Sequence, residues 1–235
     1  MSVLCRRSLL IGTAALALAG CKSSRTTATA PSAALPPAPS PALGYSIGNY
    51  GAMSDRFPID AVDTSRIEPQ FLRREVAYAT KEPPGTIVID PYAHFLYFVQ
   101  PGGTAIRYGV GVGKQGFSWS GTATINSKQE WPDWYPPKEM IERRPDIKPQ
   151  LTQLQSGIGM HGGPGNPLGA RAMYLWQNGK DTLYRIHGTV EPYSIGQSVS
   201  SGCIRMINQD AIDLYNRTPV GTRVVVLGSG GAKTS

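Results

Sequence analysis

From Gly85 onward, apolar residues gather in short runs rich in β-branched and aromatic side chains, separated by glycine, proline and asparagine. Thr86-Ile87-Val88-Ile89 and Phe95-Leu96-Tyr97-Phe98-Val99 are such runs, with Asp90-Pro91 between them as a strand breaker. Ala105 to Val112 follows, and Gly109, Gly111 and Gly113 mark close approach or a bulge. Ala123-Thr124-Ile125 continues the set. Met173-Tyr174-Leu175-Trp176 and Thr182-Leu183-Tyr184-Arg185-Ile186 then flank Asn178-Gly179, a pair suited to a tight hairpin turn. Val224-Val225-Val226-Leu227 closes the series. Two stretches carry helical signals instead. Pro137–Arg144 starts with proline and stops at Pro145. The second runs from Asn208 as N-cap through Asp210, Ala211, Leu214 and Tyr215, with Ile207 placed as a hydrophobic staple. The pattern predicts a mainly β domain over residues 85–228, a small β-sandwich or open barrel with one or two peripheral helices.

The chain ahead of this domain reads differently. Residues 44–84 are mixed, with a short helix expected at Glu68–Val76, and form a strap packed on the domain. Residues 22–43 are Ser, Thr, Ala and Pro with almost no large apolar side chain, so they cannot bury enough surface to fold. Their prolines make a semi-extended tether. In the first twenty residues, Arg6-Arg7 precede an apolar run from Leu9 to Ala19, the layout of an export signal. That run is too short to span a bilayer comfortably. Leu18-Ala19-Gly20-Cys21 resembles a bacterial lipobox, which implies cleavage before Cys21 and lipid on its sulfur. The alternative is a plain secretory signal with an incidental cysteine. The paired arginines also resemble a twin-arginine signal. Lys22, in place of Asp, resembles lipoproteins released to the outer membrane of a two-membrane bacterium. The expected location is therefore the periplasm, on a lipid anchor. Residues 229–235 are expected to be a disordered tail.

Composition agrees with a β-rich body. Hydrophobic residues make up 40% and charged residues 17% of the 235, enough apolar material for one packed core. The 27 Gly and 20 Pro imply many turns. Losing Arg6 and Arg7 takes the formal charge from +7 to +5. This modest excess suits anionic envelope polymers. No basic stripe, zinc-finger spacing or RNA-binding signature is present, which argues against nucleic acid. Cysteine usage narrows matters further. Cys5 would leave with the signal and Cys21 would carry lipid, so Cys203 remains as a lone thiol in an exported chain, with no intramolecular disulfide open to it. Such a thiol is either buried and inert or kept for chemistry.

Its surroundings suggest chemistry. Arg185-Ile186-His187-Gly188-Thr189 is followed by Pro192, Ile195-Gly196 and Ser200-Ser201-Gly202-Cys203-Ile204-Arg205-Met206. A thiol with a pKa of about 8.5 is a weak nucleophile near neutrality, and a neighbouring imidazole can take its proton and return it to a leaving amine. The loop between His187 and Cys203 is long enough to fold back and bring them together. Gly202 lets the chain turn tightly, so the Gly202 or Cys203 N–H can face a developing oxyanion. Arg205 can favour the thiolate or hold a substrate carboxylate. The competing readings are a small buried Cys, a polar strand-end His and a surface Arg. The residues alone reach a Cys–His acyl-transfer site and stop there.

The same segment closely resembles the L,D-transpeptidase catalytic-domain family, the YkuD-like group. Its motif is matched by His187-Gly188-Thr189, Gly196 and Ser200-Ser201-Gly202-Cys203-Ile204-Arg205. Ser201 stands where many members have His, which leaves His187 as the one local base. Gly162-Gly163-Pro164-Gly165-Asn166-Pro167-Leu168-Gly169 also resembles the family's approach to its site. The resemblance implies that Cys203 attacks the bond between the third residue of a peptidoglycan tetrapeptide stem and its terminal D-Ala. His187 would move the protons and the Gly188 carbonyl would orient its ring. An acceptor-stem amine would resolve the thioester into a 3→3 cross-link, without metal or organic cofactor. Ser200, Ser201, Tyr174, His161 and Arg205 are candidates for substrate positioning, and carbapenem acylation of the cysteine is implied. For His161 a purely structural loop role stands equally open, and His94 is expected in a turn after Pro91. Water as acceptor would give an L,D-carboxypeptidase, and an envelope-protein amine would tether that protein to the wall. Sortase shares the His, Cys, Arg order but places its arginine further from the cysteine. A non-catalytic wall-binding lipoprotein is the reading from another class.

Overall fold

A computed structural model of the chain describes residues 50–113, 119–200 and 202–229, the side chains of Val199 and Ser200 excepted. The export signal read at 1–20, Cys21, the tether at 21–43, the start of the strap, Ser201 and most of the tail at 229–235 lie outside the described residues.

The strands are β1 (Arg74–Ala77), β2 (Ile87–Asp90), β3 (Phe95–Gln100), β4 (Thr104–Gly109), β5 (Val112–Gly113), β6 (Gly121–Glu130), β7 (Thr152–Leu154), β8 (Gly157–Gly159), β9 (Arg171–Gln177), β10 (Lys180–His187), β11 (Ser198–Ser200), β12 (Ile204–Arg205) and β13 (Arg223–Val226). The helices are α1 (Lys138–Arg143) and α2 (Asn208–Arg217). Among the described residues, nine strands form one sheet in the order β1-β4-β3-β2-β13-β6-β9-β10-β12. The fold is therefore mainly β. The sheet's two ends approach each other: Gly111, just past β4, exchanges backbone hydrogen bonds with Arg205 of β12 at 2.9 and 2.8 Å. Curling in this way removes much of the open edge that a flat sheet would expose.

Ile87, Ile89, Leu96, Ile125, Leu175, Ile186, Ile204 and Val224 point into one continuous core. Burying an aliphatic side chain of this size contributes about 1.5–3 kcal/mol. β2 lies between β3 and the parallel β13, and its three apolar residues are all buried, which explains why its sequence does not alternate. The β9–β10 turn is set by Asn178 (φ 51°) and Gly179 (φ 74°), the two left-handed positions that a tight hairpin needs.

Helix α2 closes the core from below. Ala211 and Leu214 face inward, Asp213 and Arg217 pair at 2.8 Å along the outer side, and the helix stops ahead of Pro219. Asn208 is not its N-cap. That position belongs to Ile207, which makes no side-chain cap, and the Asn208 amide is committed to a contact with another loop. The stretch Glu68–Val76 likewise departs from expectation. Only Pro69–Phe71 forms a single 3-10 turn, and Arg74–Ala77 is a strand. The reason is packing: Phe71 and Leu72 bury themselves against Ile67, Ile195 and Ile207, and the chain then pairs antiparallel with the free edge of β4. A helix would leave those β4 amides unpaired.

The strap is tied down by polar contacts as well. Tyr50 donates to Asp210 of α2 at 3.0 Å, Arg73 lies 3.6 Å from Asp210 and 3.0 Å from Asp213, and Asp55 pairs with buried Arg171 at 2.8 Å.

The strap seats closely at Gly109, where a Cβ would run into the Phe71 backbone and its Cβ. Gly109→Ala is expected to lose about 1–3 kcal/mol of stability, measured by urea denaturation. Gly163→Ala, which meets open space, should change it by less than about 0.5 kcal/mol. Equal midpoints for the two variants would show that the strap does not seat as described.

Candidate active site

The site is built on the last rung of the sheet. β10 and β12 run parallel, with Ile186 opposite Ile204 and His187 opposite Arg205. Successive strand side chains alternate between faces. Because Ile186 and Ile204 are both fully buried in the core, Arg185, His187, Cys203 and Arg205 are turned together to the opposite face. Cys203 sits diagonally from His187 across this pair. Both side chains line the same cleft.

That face opens into a cleft of about 320 Å³ lined by His187, Cys203 and Arg205 together with Trp134, Met140, Arg144 and Met160. Helix α1 and the residues after it supply one wall, and Trp134 is held in place by backbone bonds to Met160 at 2.9 and 2.8 Å. Cys203 is partly buried and keeps some of its surface in the cleft.

The electrostatics favour an uncharged pair at rest. Burial pushes the Cys203 thiol pKa up, opposed by a main-chain hydrogen bond from Arg185 and by the positive charges of Arg185 and Arg205. Burial drives the His187 imidazole down to about 4, outweighing the hydrogen bond to Gly188, while Arg205 and Arg185 push it lower still. His187 Nδ1 lies 2.5 Å from the Gly188 carbonyl oxygen. A carbonyl only accepts, so Nδ1 carries the proton and donates, and Nε2 keeps its lone pair.

The remaining sequence candidates divide. Gly202 has φ 135°, a region that favours glycine, and leads directly into Cys203. Gly188 presses against Asn208, leaving no room for a Cβ. Arg205 lines the cleft but is already paired, its Nη1 lying 2.7 Å from Glu191 Oε2. Tyr174 stands opposite Arg185 on β9, under the Arg185 guanidinium at 4.9 Å, and its hydroxyl donates to Gln129 at 2.9 Å; it is not among the residues lining the cleft. His161 points to solvent beside Asp133 at 3.6 Å, and its neighbour Met160 takes the place at the cleft wall. His94 stands after Pro91 with φ 60°, its Nε2 3.1 Å from Ser198 Oγ. Ser200 pairs with Gly113 through the backbone, and Ser201 lies outside the described residues. Among the described residues no group of three or more His, Cys, Asp or Glu is gathered as for a metal, and no helix is long and apolar enough to cross a membrane.

Three contributors went unread in the sequence. Arg185 was legible, because it lies two residues before His187 on the same strand face. Glu191 and the α1 wall carry no local signal of their role, since only tertiary folding brings them to the cleft.

Residues 84–226 match the family model of the L,D-transpeptidase catalytic domain, YkuD. The chain is 32% identical over 149 residues to Probable L,D-transpeptidase ErfK/SrfK of Escherichia coli (strain K12), covering 60% of this chain and 43% of that protein. It is 35% identical over 144 residues to Probable L,D-transpeptidase YbiS of the same strain, covering 59% and 43%. The chain thus spans less than half the length of these curated relatives. One similar solved structure is described as a probable carnitine operon oxidoreductase caia from Brucella melitensis, 55% identical, covering 70% of this chain and 99% of that one at a TM-score of 0.46. That score is below 0.5, and the kinship stands on the sequence match over residues 84–226.

The depressed imidazole pKa has a sign that can be checked. Between about 4 and 6.5 the unfolded chain binds a proton at His187 that the folded chain refuses. The stability linked to this group is therefore intact above 6.5 and is lost as pH falls through that window, by up to about 3 kcal/mol. Asp210, fully buried and pushed up to about 7, acts with the opposite sign: its contribution is lost as pH rises from 3.8 to 7. Comparing the protein with His187→Gln cancels the Asp210 effect. The urea midpoint of the unaltered protein should fall relative to that of the variant as pH drops from 7 to 4. A separation independent of pH would show that His187 is not held neutral.

Proposed function

The chain belongs to the L,D-transpeptidase catalytic-domain family, and from that premise we propose that it forms 3→3 peptidoglycan cross-links through a thioester on Cys203, with His187 as general base and acid. The observation that carries this reading is the shared cleft, lined by the Cys203 thiol and by a His187 ring whose Nδ1 is committed to the Gly188 carbonyl, which makes Nε2 the nitrogen that accepts a proton.

In the proposed first step, the Cys203 sulfur attacks the carbonyl joining the third, diamino-acid residue of a donor stem to its terminal D-Ala, while Nε2 takes the thiol proton. The Gly202 and Cys203 N–H groups receive the developing oxyanion. Collapse of the adduct breaks the C–N bond, the imidazolium gives its proton to the departing D-Ala amine, and a thioester remains. The acceptor's side-chain amine then attacks the thioester and loses a proton to Nε2. Sulfur leaves and recovers that proton, which restores the starting pair. An imidazole with a pKa near 4 is neutral across the periplasmic pH range, so it is ready to accept the proton at the moment of attack. A donor carboxylate that reaches Arg205 must share a guanidinium already engaged by Glu191.

We place this chemistry in the periplasm, at the end of the residue 22–43 tether, with lipid on Cys21. The basic balance of the chain suits an anionic wall polymer.

Incubation with purified disaccharide-tetrapeptide, followed by mass spectrometry, tests the activity. A cross-linked dimer that has lost one D-Ala is expected, and Cys203→Ala should lower its rate at least roughly a thousandfold. Tripeptide without dimer would replace the cross-linking reading with hydrolysis. Unchanged substrate from the folded protein would overturn the enzymatic reading and favour a wall-binding module.

A further inference from the structure

Asn208 is the first residue of α2, yet its amide does not cap the helix. Its Oδ1 accepts a hydrogen bond from the Ala170 N–H at 3.0 Å. Two glycines from separate parts of the chain close around that same oxygen. Gly169 (φ 63°) lies just ahead of β9 and Gly188 just past β10, and a Cβ on either would collide with Asn208 Oδ1. The Gly169 position is also crowded by the Gly188–Thr189 peptide, since a Cβ there would sit 2.6 Å from Thr189 N and 2.7 Å from the Gly188 carbonyl carbon. The Gly188 N–H is itself held by the Arg171 carbonyl at 2.9 Å.

The peptide clamped in this way is the one whose carbonyl accepts from His187 Nδ1. Its direction decides which ring nitrogen is protonated. If the Gly188–Thr189 peptide rotates away, Nδ1 loses its acceptor, the ring can place its proton on Nε2, and the lone pair no longer faces the thiol. The charged groups around the ring, Arg185 on β10 and Arg205 on β12, disfavour its protonated form. The carbonyl selects between the two neutral tautomers, because it can only accept. The Asn208–Ala170 hydrogen bond and the glycine pair therefore converge on one proton position.

We propose that Asn208 is a positioning residue for the acyl-transfer base: through Ala170 and the two glycines it holds the Gly188 carbonyl in line with His187 Nδ1 and so keeps Nε2 free. This rests on His187 being the base, but the tautomer that Asn208 sets is observable whether or not the protein turns over a stem peptide.

The test is ¹⁵N NMR of the imidazole rings at pH 7 in the unaltered protein, Asn208→Ala and Asn208→Asp, with His187→Gln used to assign the His187 signals among the three histidines. The unaltered protein should show the Nδ1–H tautomer at His187. Asn208→Ala should shift it to a mixture containing Nε2–H, and its acylation rate with a tetrapeptide donor should fall about a hundredfold with KM little changed. Asn208→Asp keeps an acceptor oxygen for the Ala170 N–H and should restore the Nδ1–H tautomer. Should Asn208→Ala fail to fold, Asn208→Ser loses the same reach and is read by the same spectrum. An alanine or serine variant that keeps the Nδ1–H tautomer of the unaltered protein would overturn the proposal, even if its melting temperature or rate had dropped. Loss of turnover in the unaltered protein would count against the transpeptidase reading alone, since the spectra would still decide the role of Asn208.

Discussion

Two rungs of parallel strand pairing organise the cleft. Ile186 of β10 and Ile204 of β12 meet inside the core, and their burial fixes the direction of everything on either side of them. A slip of β12 by one residue would turn Arg205 into the core and expose Ile204. It would bury one charge and lose one aliphatic burial, a change of several kcal/mol. The register is thus held by apolar burial, and the chemistry-bearing face is its by-product. The bridge between Gly111 and Arg205 reinforces this from the far end of the sheet by fixing the backbone of β12 on its other side.

The same burial shapes the electrostatics. A sulfur in this environment resists ionisation and an imidazole resists protonation, so burial favours a neutral pair at rest. The helix beneath contributes from two directions. Its inner side closes the core through Ala211 and Leu214, its first residue grips the loops around Gly169 and Gly188, and its Asp210 anchors Tyr50 and Arg73 of the strap. Strap, helix and the His187 ring form one mechanical series, in which contacts outside the cleft hold the groups within it.

Much of this could be read from residues alone, for reasons that are local. The Asn178-Gly179 turn announces its own hairpin, and the β-branched runs from Ile87 to Val226 mark the sheet. The run from His187 to Arg205 marks a candidate site because a thiol, an imidazole and a glycine turn share one short segment. What could not be read depends on distant partners. Glu68–Val76 has helix-forming residues, yet it becomes a turn and a strand because Phe71 must bury under Gly109 and Gly196. Asn208 has the right identity for an N-cap, but a loop some forty residues earlier claims its side chain. The commitment of Arg205 to Glu191, and the outward position of His161, likewise follow from tertiary packing. The signal, lipobox and tether at residues 1–43 lie outside the described residues and stand as proposals from the sequence.

The central claim, that Cys203 carries the acyl group, is tested most directly by trapping it. The protein is mixed with a tetrapeptide donor whose side-chain amine is acetylated, so that it cannot serve as acceptor, and quenched in acid for intact-mass analysis and peptide mapping. The account predicts an increment equal to the donor less D-Ala, located on the peptide bearing Cys203 and removed by hydroxylamine. Release of D-Ala without any such adduct, or an adduct mapped to another residue, would contradict it.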